Sequence, residues 1–286
     1  MDWLNIEFVA PAQQHTQLCE LLEEAGALAV TSLDAADRPV LEPAPGETPL
    51  WPQVRVVALF AGDYDPQPLQ ALLRAGGLVA VSCEPLSDAD WVRRGQDVTV
   101  RHFGGRLWVC PSGAPAPAPD ACVLRLDAGL AFGTGSHPTT GGCLRWLAGH
   151  PPQGLEVIDY GCGSGILAVA AAMLGARRVQ ATDLDPQALR ATADNAARNG
   201  VADRVTVCEA AALVAPVDLI LANILAPVLI DLAPRLQALL RPGGVLLLSG
   251  VLESQLENVV SAYTPAMRFS PARIDHGWVC VQAVKQ

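Results

Sequence analysis

Val157-Ile-Asp-Tyr-Gly-Cys-Gly-Ser-Gly-Ile-Leu-Ala-Val-Ala170, followed after ten residues by Ala181-Thr-Asp-Leu-Asp-Pro186, is the stretch that decides the fold. A short apolar run ends in glycines at alternate positions, Gly161, Gly163 and Gly165. An Ala-rich helical pattern follows, then a second apolar run that ends in a carboxylate, Asp183. This order predicts strand, glycine turn, helix and strand, the entry of a doubly wound α/β sheet. Without a Cβ the turn can be tight, and its backbone can lie against a ligand. Asp185 precedes Pro186 and reads as the N-cap of the next helix, which leaves Asp183, at the strand tip, free to accept the hydroxyls of a ribose.

The glycine spacing also chooses the ligand. Dinucleotide folds use Gly-x-Gly-x-x-Gly and set a pyrophosphate on a helix N-terminus. Here the spacing is Gly-x-Gly-x-Gly, and an acid, Asp159, stands two residues before the first glycine. That acid repels a phosphate and suits a cationic group. S-adenosylmethionine combines an amino-acid end with a ribose and has no phosphate, so the expected cofactor is S-adenosylmethionine and the expected domain a class I methyltransferase.

Composition sets outer bounds. The 286 residues suit two domains, and 51% apolar content supplies a sizeable core. No apolar run reaches the length of a membrane span, and the N-terminus has no basic patch before an apolar run, so neither a membrane anchor nor a secretory signal is expected. Eight cysteines lie far apart with no Cys-x-x-Cys pair, which points to a reducing, cytoplasmic location and no structural metal. The formal charge of −10 argues against a nucleic-acid binder. Residues 1–95 hold 14 Asp/Glu against 5 Arg and no Lys, a net of −9, whereas the rest of the chain is close to neutral at −1. Such asymmetry serves solubility, or equips the first third to dock a basic partner.

The first third reads strand, helix, strand, strand, helix, strand, which predicts a small ferredoxin-like α+β sandwich over residues 1–95. Residues 96–120 read as a connecting hairpin around Phe103-Gly-Gly and a Pro/Ala-rich spacer, Ser112 to Asp120. From Ala121 to Gln286 strands and helices alternate, predicting a Rossmann-like, seven-stranded parallel sheet closed by an antiparallel pair near the C-terminus. Helices are expected near 165–175, 186–199 and 227–240, with breaks at Asn199-Gly200 and Pro242-Gly-Gly244.

Two further segments carry candidate chemistry. Asn223-Ile-Leu-Ala226 ends the apolar strand from Val217, where an amide can position an amine or a cofactor atom; its plainer reading is a helix cap. It lacks the paired prolines and aromatic residue that methyltransferases of planar nitrogens often carry there, which points to an aliphatic amine. Ala128-Gly-Leu-Ala-Phe-Gly-Thr-Gly-Ser-His-Pro-Thr-Thr140 suits a lid, with Phe132 covering a ligand and Thr140 donating a hydroxyl. His137 in this segment reads as a structural loop residue.

Together, the Gly129 to Thr140 segment, the Asp159 to Gly165 turn, Asp183-Leu-Asp-Pro186 and Asn223-Ile-Leu-Ala226 resemble the ribosomal protein L11 methyltransferase family, over the whole chain. The resemblance implies a recognition domain, a linker and a catalytic domain that trimethylates amines of one basic ribosomal protein, both lysine side chains and an N-terminal α-amine. It implies cofactor contacts at Thr140, Gly161, Asp183 and Asn223. No residue is assigned to acid–base catalysis, because a neutral amine beside a sulfonium needs alignment more than proton transfer. Another methyltransferase of the same fold, or a non-catalytic S-adenosylmethionine-binding regulator, remain alternatives on residues alone.

Overall fold

The computed structural model describes residues 2–35, 50–75, 77–78, 80–87, 100–127 and 135–286. Asp90-Trp-Val-Arg-Arg94, whose sequence suggests a helical turn, the start of the hairpin at 97–99 and residues 128–134 of the expected lid, Phe132 among them, lie outside the described residues. The chain divides into two compact units, Met1–Gln96 and Asp97–Gln286.

In the first unit, strands β1 (Asp2–Pro11), β2 (Ala29–Asp34), β3 (Gln53–Ala61) and β4 (Ala80–Ser87) form an antiparallel sheet in the order β2-β3-β1-β4. Alternation buries one face: Ile6, Phe8 and Ala10 from β1, and Val54, Val56, Ala58 and Phe60 from β3. Helices α1 (Ala12–Glu24) and α2 (Gln67–Ala75) cover it with Leu18, Leu22, Leu69 and Leu73. Asp65 Oδ1 accepts from the Gln67 amide at 3.0 Å, a side-chain cap at the start of α2.

The second unit starts at Asp97, so the hairpin expected in the connecting region 96–120 lies within it. Strand β5 (Arg101–His102) pairs with β6 (Leu107–Cys110), and β6 pairs in parallel with β7 (Cys122–Arg125). Leu107, Val109 and Leu124 are fully buried in this unit's core, which outweighs the extended preference of the alternating prolines. The Pro/Ala segment is held down at its start. The Arg125 guanidinium donates to the carbonyls of Pro111 and Ala114, and Ser112 donates through its amide and hydroxyl to Asp127 at 2.8 and 2.6 Å.

The main sheet comprises β8 (Glu156–Tyr160), β9 (Arg178–Thr182), β10 (Val205–Val207), β11 (Val217–Asn223), β12 (Leu240–Leu252), β13 (Met267–Phe269), β14 (Arg273–Asp275) and β15 (Trp278–Lys285). Its order is β10-β9-β8-β11-β12-β15-β13, with β14 also on β15. It has eight strands, not seven, because the segment after Met267 pairs with β15 twice. Met267–Phe269 opposes Ala283–Lys285, and Arg273–Asp275 opposes Trp278–Cys280, on either side of Pro271, which has no N–H to give a ladder. The strands from β8 to β12 run parallel and β15 runs antiparallel.

The expected break at Pro242-Gly-Gly244 takes the form of a bulge inside β12. Leu240 and Val245 oppose Val217 and Leu219, so four residues loop out opposite one. Side chains alternate between the two faces. Val157, Leu219, Leu221 and Leu247 enter one core, under α3 (Pro138–Gly149), α4 (Ile166–Met173) and α5 (Pro186–Arg198). Ile158, Ile220, Leu246 and Leu248 enter the other, under α6 (Ala226–Asp231), α7 (Ala233–Leu239) and α8 (Leu256–Tyr263). The single helix expected over 227–240 is thus two, the second opening with Pro234 in its first turn. The strand order reverses beside β8, whose neighbours are β9 and β11, so the crevice for a ligand opens at the carboxyl ends of β8 and β11.

Candidate active site at the carboxyl edge of the sheet

The glycine turn is built as its spacing predicts. Gly161, Gly163 and Gly165 have φ of +80°, +53° and +75°, values that a Cβ disfavours. The amides of Gly161 and Cys162 donate to Thr182 O at 2.8 and 3.0 Å, tying the turn to the end of β9. Helix α5 holds it from the side. Thr192 Oγ1 donates to Gly163 O at 3.2 Å, and Asn195 Nδ2 donates to Ser164 O at 2.8 Å. A Cβ on Gly165 would lie 2.7 Å from Thr192, and one on Gly161 only 2.3 Å from Ile224 Cγ2. Thus the loop after β11 is pressed directly against the turn after β8.

Three acids stand at this edge. Asp183 Oδ2 accepts from the Gly163 amide at 2.9 Å and Oδ1 from the Asp185 amide at 3.0 Å. Both oxygens are thereby oriented, and each retains a lone pair for a further donor. Asp185 caps α5, accepting from Gln187 N at 2.8 Å, as its place before Pro186 implied. Asp159 is 1% exposed. Its Oδ2 accepts from Ala168 N at 2.8 Å, whereas Oδ1 is buried with no hydrogen-bond partner among the described residues. Burial, opposed by the Ala168 bond and reinforced by the charge of Asp183, pushes its pKa up to about 7. A buried carboxylate with an open oxygen fits a cationic ligand group and opposes a phosphate.

Asn223 ends β11, and its Nδ2 donates to Thr140 Oγ1 at 3.3 Å. It is not the cap of α6, a place taken by Leu225. Thr140 is buried in the first turn of α3, whose N-cap is His137: its ring nitrogen accepts from the Thr139 amide at 3.5 Å and lies 2.8 Å from Thr139 Oγ1. Burial lowers the His137 pKa, and its ring meets Trp278 edge-on with centroids 5.0 Å apart.

Of the four residues singled out in the sequence, Thr140 and Asn223 are hydrogen-bonded to each other, Asp183 is bonded to the glycine turn through Gly163, and Gly161 of that turn faces Ile224, the residue after Asn223. Sequence reasoning passed over Leu184, which is 97% exposed between Asp183 and Asp185. The signal present in the sequence was a leucine set between two acids just after an apolar strand. Among the described residues no cluster of His, Cys, Asp and Glu could hold a metal ion. No helix among them is long and apolar enough to cross a membrane.

A family model described as ribosomal protein L11 methyltransferase (PrmA) matches residues 2–286. The chain belongs to that family. Proteins named ribosomal protein L11 methyltransferase from Azotobacter vinelandii and Pseudomonas aeruginosa are both 47% identical to it. The alignment covers 100% of this chain and of the former, and 98% of this chain and 97% of the latter. A crystal structure of ribosomal protein L11 methylase from Lactobacillus delbrueckii subsp. bulgaricus matches 65% of this chain and 98% of its own, at 32% identity and a TM-score of 0.61. Membership in the family sets aside a non-catalytic regulator, and it makes S-adenosylmethionine the cofactor that the acidic, phosphate-excluding edge has to fit.

Proposed function

We propose that this chain transfers methyl groups from S-adenosylmethionine to amines of ribosomal protein L11, both lysine side chains and the N-terminal α-amine. The observation that carries the proposal is the buried carboxylate of Asp159, with one oxygen unpartnered, at the end of the strand that leads into the glycine turn of a methyltransferase-family chain. In this reading Asp159 takes the ammonium of the methionine end, Asp183 takes the ribose hydroxyls, the Gly161 backbone lies against the ligand and Leu184 covers one face of the adenine. Thr140 and Asn223 stand where the methyl and the incoming amine meet.

When bound, the cofactor supplies an electrophilic methyl group on a sulfonium. The protein's task is to deliver a neutral amine. A lysine amine has a pKa of roughly 10.4, and only the unprotonated form has a lone pair. Removing that amine from water beside a positive charge lowers its pKa. The Asn223 side-chain carbonyl, its amide already committed to Thr140, is an acceptor that aligns the amine. His137 is held in a helix cap and takes no proton in this scheme.

Residues 1–95, with the β-α-β-β-α-β order of a ferredoxin-like sandwich and a net charge of −9, form the docking module for the basic substrate. The excess of acid disfavours nucleic acid as a direct partner, and the cytoplasm, where ribosomal proteins are made, is the place of action. The test is incubation of the chain with methyl-labelled S-adenosylmethionine and purified ribosomal protein L11, followed by peptide mapping. Label on lysine and α-amino groups, lost in Asp183→Ala, is the expected result. Label that goes only to small molecules, or none at all from a chain that binds cofactor, would overturn the proposal.

A further inference from the structure

Away from the carboxyl edge, a cavity of about 330 Å³ lies between α3 and the last strands of the main sheet, a volume within the usual range of small-molecule sites. Its lining is rich in hydrogen-bond donors. The Arg145 guanidinium donates to Asp275 Oδ2 at 2.6 Å, and its Nε is buried without a hydrogen-bond partner among the described residues. Arg273, which opens β14, is exposed and makes no hydrogen bond or ion pair among the described residues. The Ser270 hydroxyl accepts from Gln282 Nε2 at 3.2 Å and keeps its own proton to give. Among the described residues no carboxylate lines the cavity, and Asp275 is engaged by Arg145.

The aromatic part of the wall is fixed. Trp146 Nε1 donates to Gln282 Oε1 at 2.7 Å. His150 stacks on the indole, with centroids 4.6 Å apart and planes 16° from parallel, and its Nδ1 donates to the Trp146 carbonyl at 3.0 Å. Two rings thus form one stack in the same wall as an unpaired guanidinium. Arg268 adds to the local charge: it opposes Val284 of β15, two positions from Gln282, so it lies on the same face of the sheet, and it is exposed. A flat body with an anionic head satisfies both halves of this lining, the plane by stacking and the head by charge-assisted hydrogen bonds.

We propose that this cavity is a second ligand site, separate from the cofactor crevice, and that it takes one nucleoside monophosphate. Arg273 and the Ser270 hydroxyl take the phosphate, with the Arg145 charge behind them, and the base extends the Trp146–His150 stack. A phosphate presents three terminal oxygens, enough for a guanidinium fork and a hydroxyl together, whereas a carboxylate presents two. The net charge of −10 does not oppose this ligand as it opposes a nucleic acid. A polyanion meets the field of the whole molecule, whereas a single phosphate answers to charges within about 8–10 Å. Bound there, the nucleotide bridges α3, whose first turn carries Thr140, and β14.

The test is calorimetric titration of the purified full-length chain with guanosine 5′-monophosphate, in the presence of saturating S-adenosylhomocysteine so that the cofactor crevice is closed to the probe. Parallel titrations use ribose 5-phosphate, guanosine and a single-stranded oligoribonucleotide. Guanosine 5′-monophosphate should bind at one site per chain, and removing either the base or the phosphate should weaken binding roughly tenfold or more. Arg273→Glu should abolish the binding, while S-adenosylhomocysteine affinity and thermal unfolding stay as in the parent, because Arg273 holds no other group in place. Arg273→Lys, which keeps the charge, should retain part of it. The proposal is overturned by the absence of saturable uptake, by equal binding of ribose 5-phosphate, by uptake that survives Arg273→Glu, or by uptake of the oligoribonucleotide alone.

Discussion

Asp159→Asn should move the stability of the unliganded chain and its affinity for the cofactor in opposite directions. Burial lifts the Asp159 pKa from an ordinary 3.8 to about 7. Between those values the folded state keeps a proton that the unfolded chain has released. The unliganded chain therefore loses stability as pH rises through that window and levels off above about pH 7. The gap corresponds to about 4 kcal/mol, a ceiling on the penalty at higher pH. Asparagine keeps an acceptor for the Ala168 amide and carries no charge, but its NH₂ needs a partner, an offset of about 1–3 kcal/mol. The net expectation above pH 7 is a gain of about 1–2 kcal/mol, or roughly 2–8 °C in Tm. The ligand's ammonium meanwhile loses a charged partner worth about 1.5–3 kcal/mol, so binding should weaken roughly 10- to 150-fold. Thermal unfolding from roughly pH 5 to pH 8, paired with calorimetric titration of S-adenosylmethionine, reads both effects. A variant that is less stable above pH 7, or that binds cofactor as the parent does, refutes the reasoning.

Other perturbations separate the remaining roles. Gly161→Ala forces a side chain to φ +80° and into Ile224, so urea unfolding should show a loss of about 2–5 kcal/mol, part of it recovered when Ile224→Ala is added. Asn223→Ala should leave cofactor affinity within a few fold and lower kcat by about 10²-fold, since it removes alignment and not the nucleoside grip; stopped-time assays with labelled cofactor and direct titration distinguish the two. His137→Ala should lower stability by about 1 kcal/mol through the lost cap and retain measurable turnover across the neutral pH range. A complete loss of methyl transfer with binding intact would give His137 a catalytic part that the cap geometry does not explain.

The sequence made legible what depends on local backbone rules. Gly161, Gly163 and Gly165 need positive φ, Asp185 before Pro186 must cap, and the runs through Val157, Val217 and Val245 are too apolar to lie anywhere but inside a sheet. Contacts between distant segments escaped. Helix α3 opens Pro138-Thr-Thr-Gly-Gly142, poor helix formers, and is held by packing of Gly142 on Cys280, 138 positions away. The spacer after Ser112 reads as free chain until the parallel pairing of β6 with β7 and the grip of Arg125 are seen. At the site, the acids were readable as residues. That Asp159 keeps one oxygen unpartnered while Asp183 is braced by two amides follows only from the way β8 and β9 end side by side.

The most direct measurement is calorimetric titration of the chain with S-adenosylhomocysteine and, in parallel, with NAD. Saturable binding of the thioether nucleoside at one site per chain, with no heat from the dinucleotide, is the expected result. Tight uptake of NAD with indifference to S-adenosylhomocysteine would contradict a carboxyl edge built to refuse phosphate.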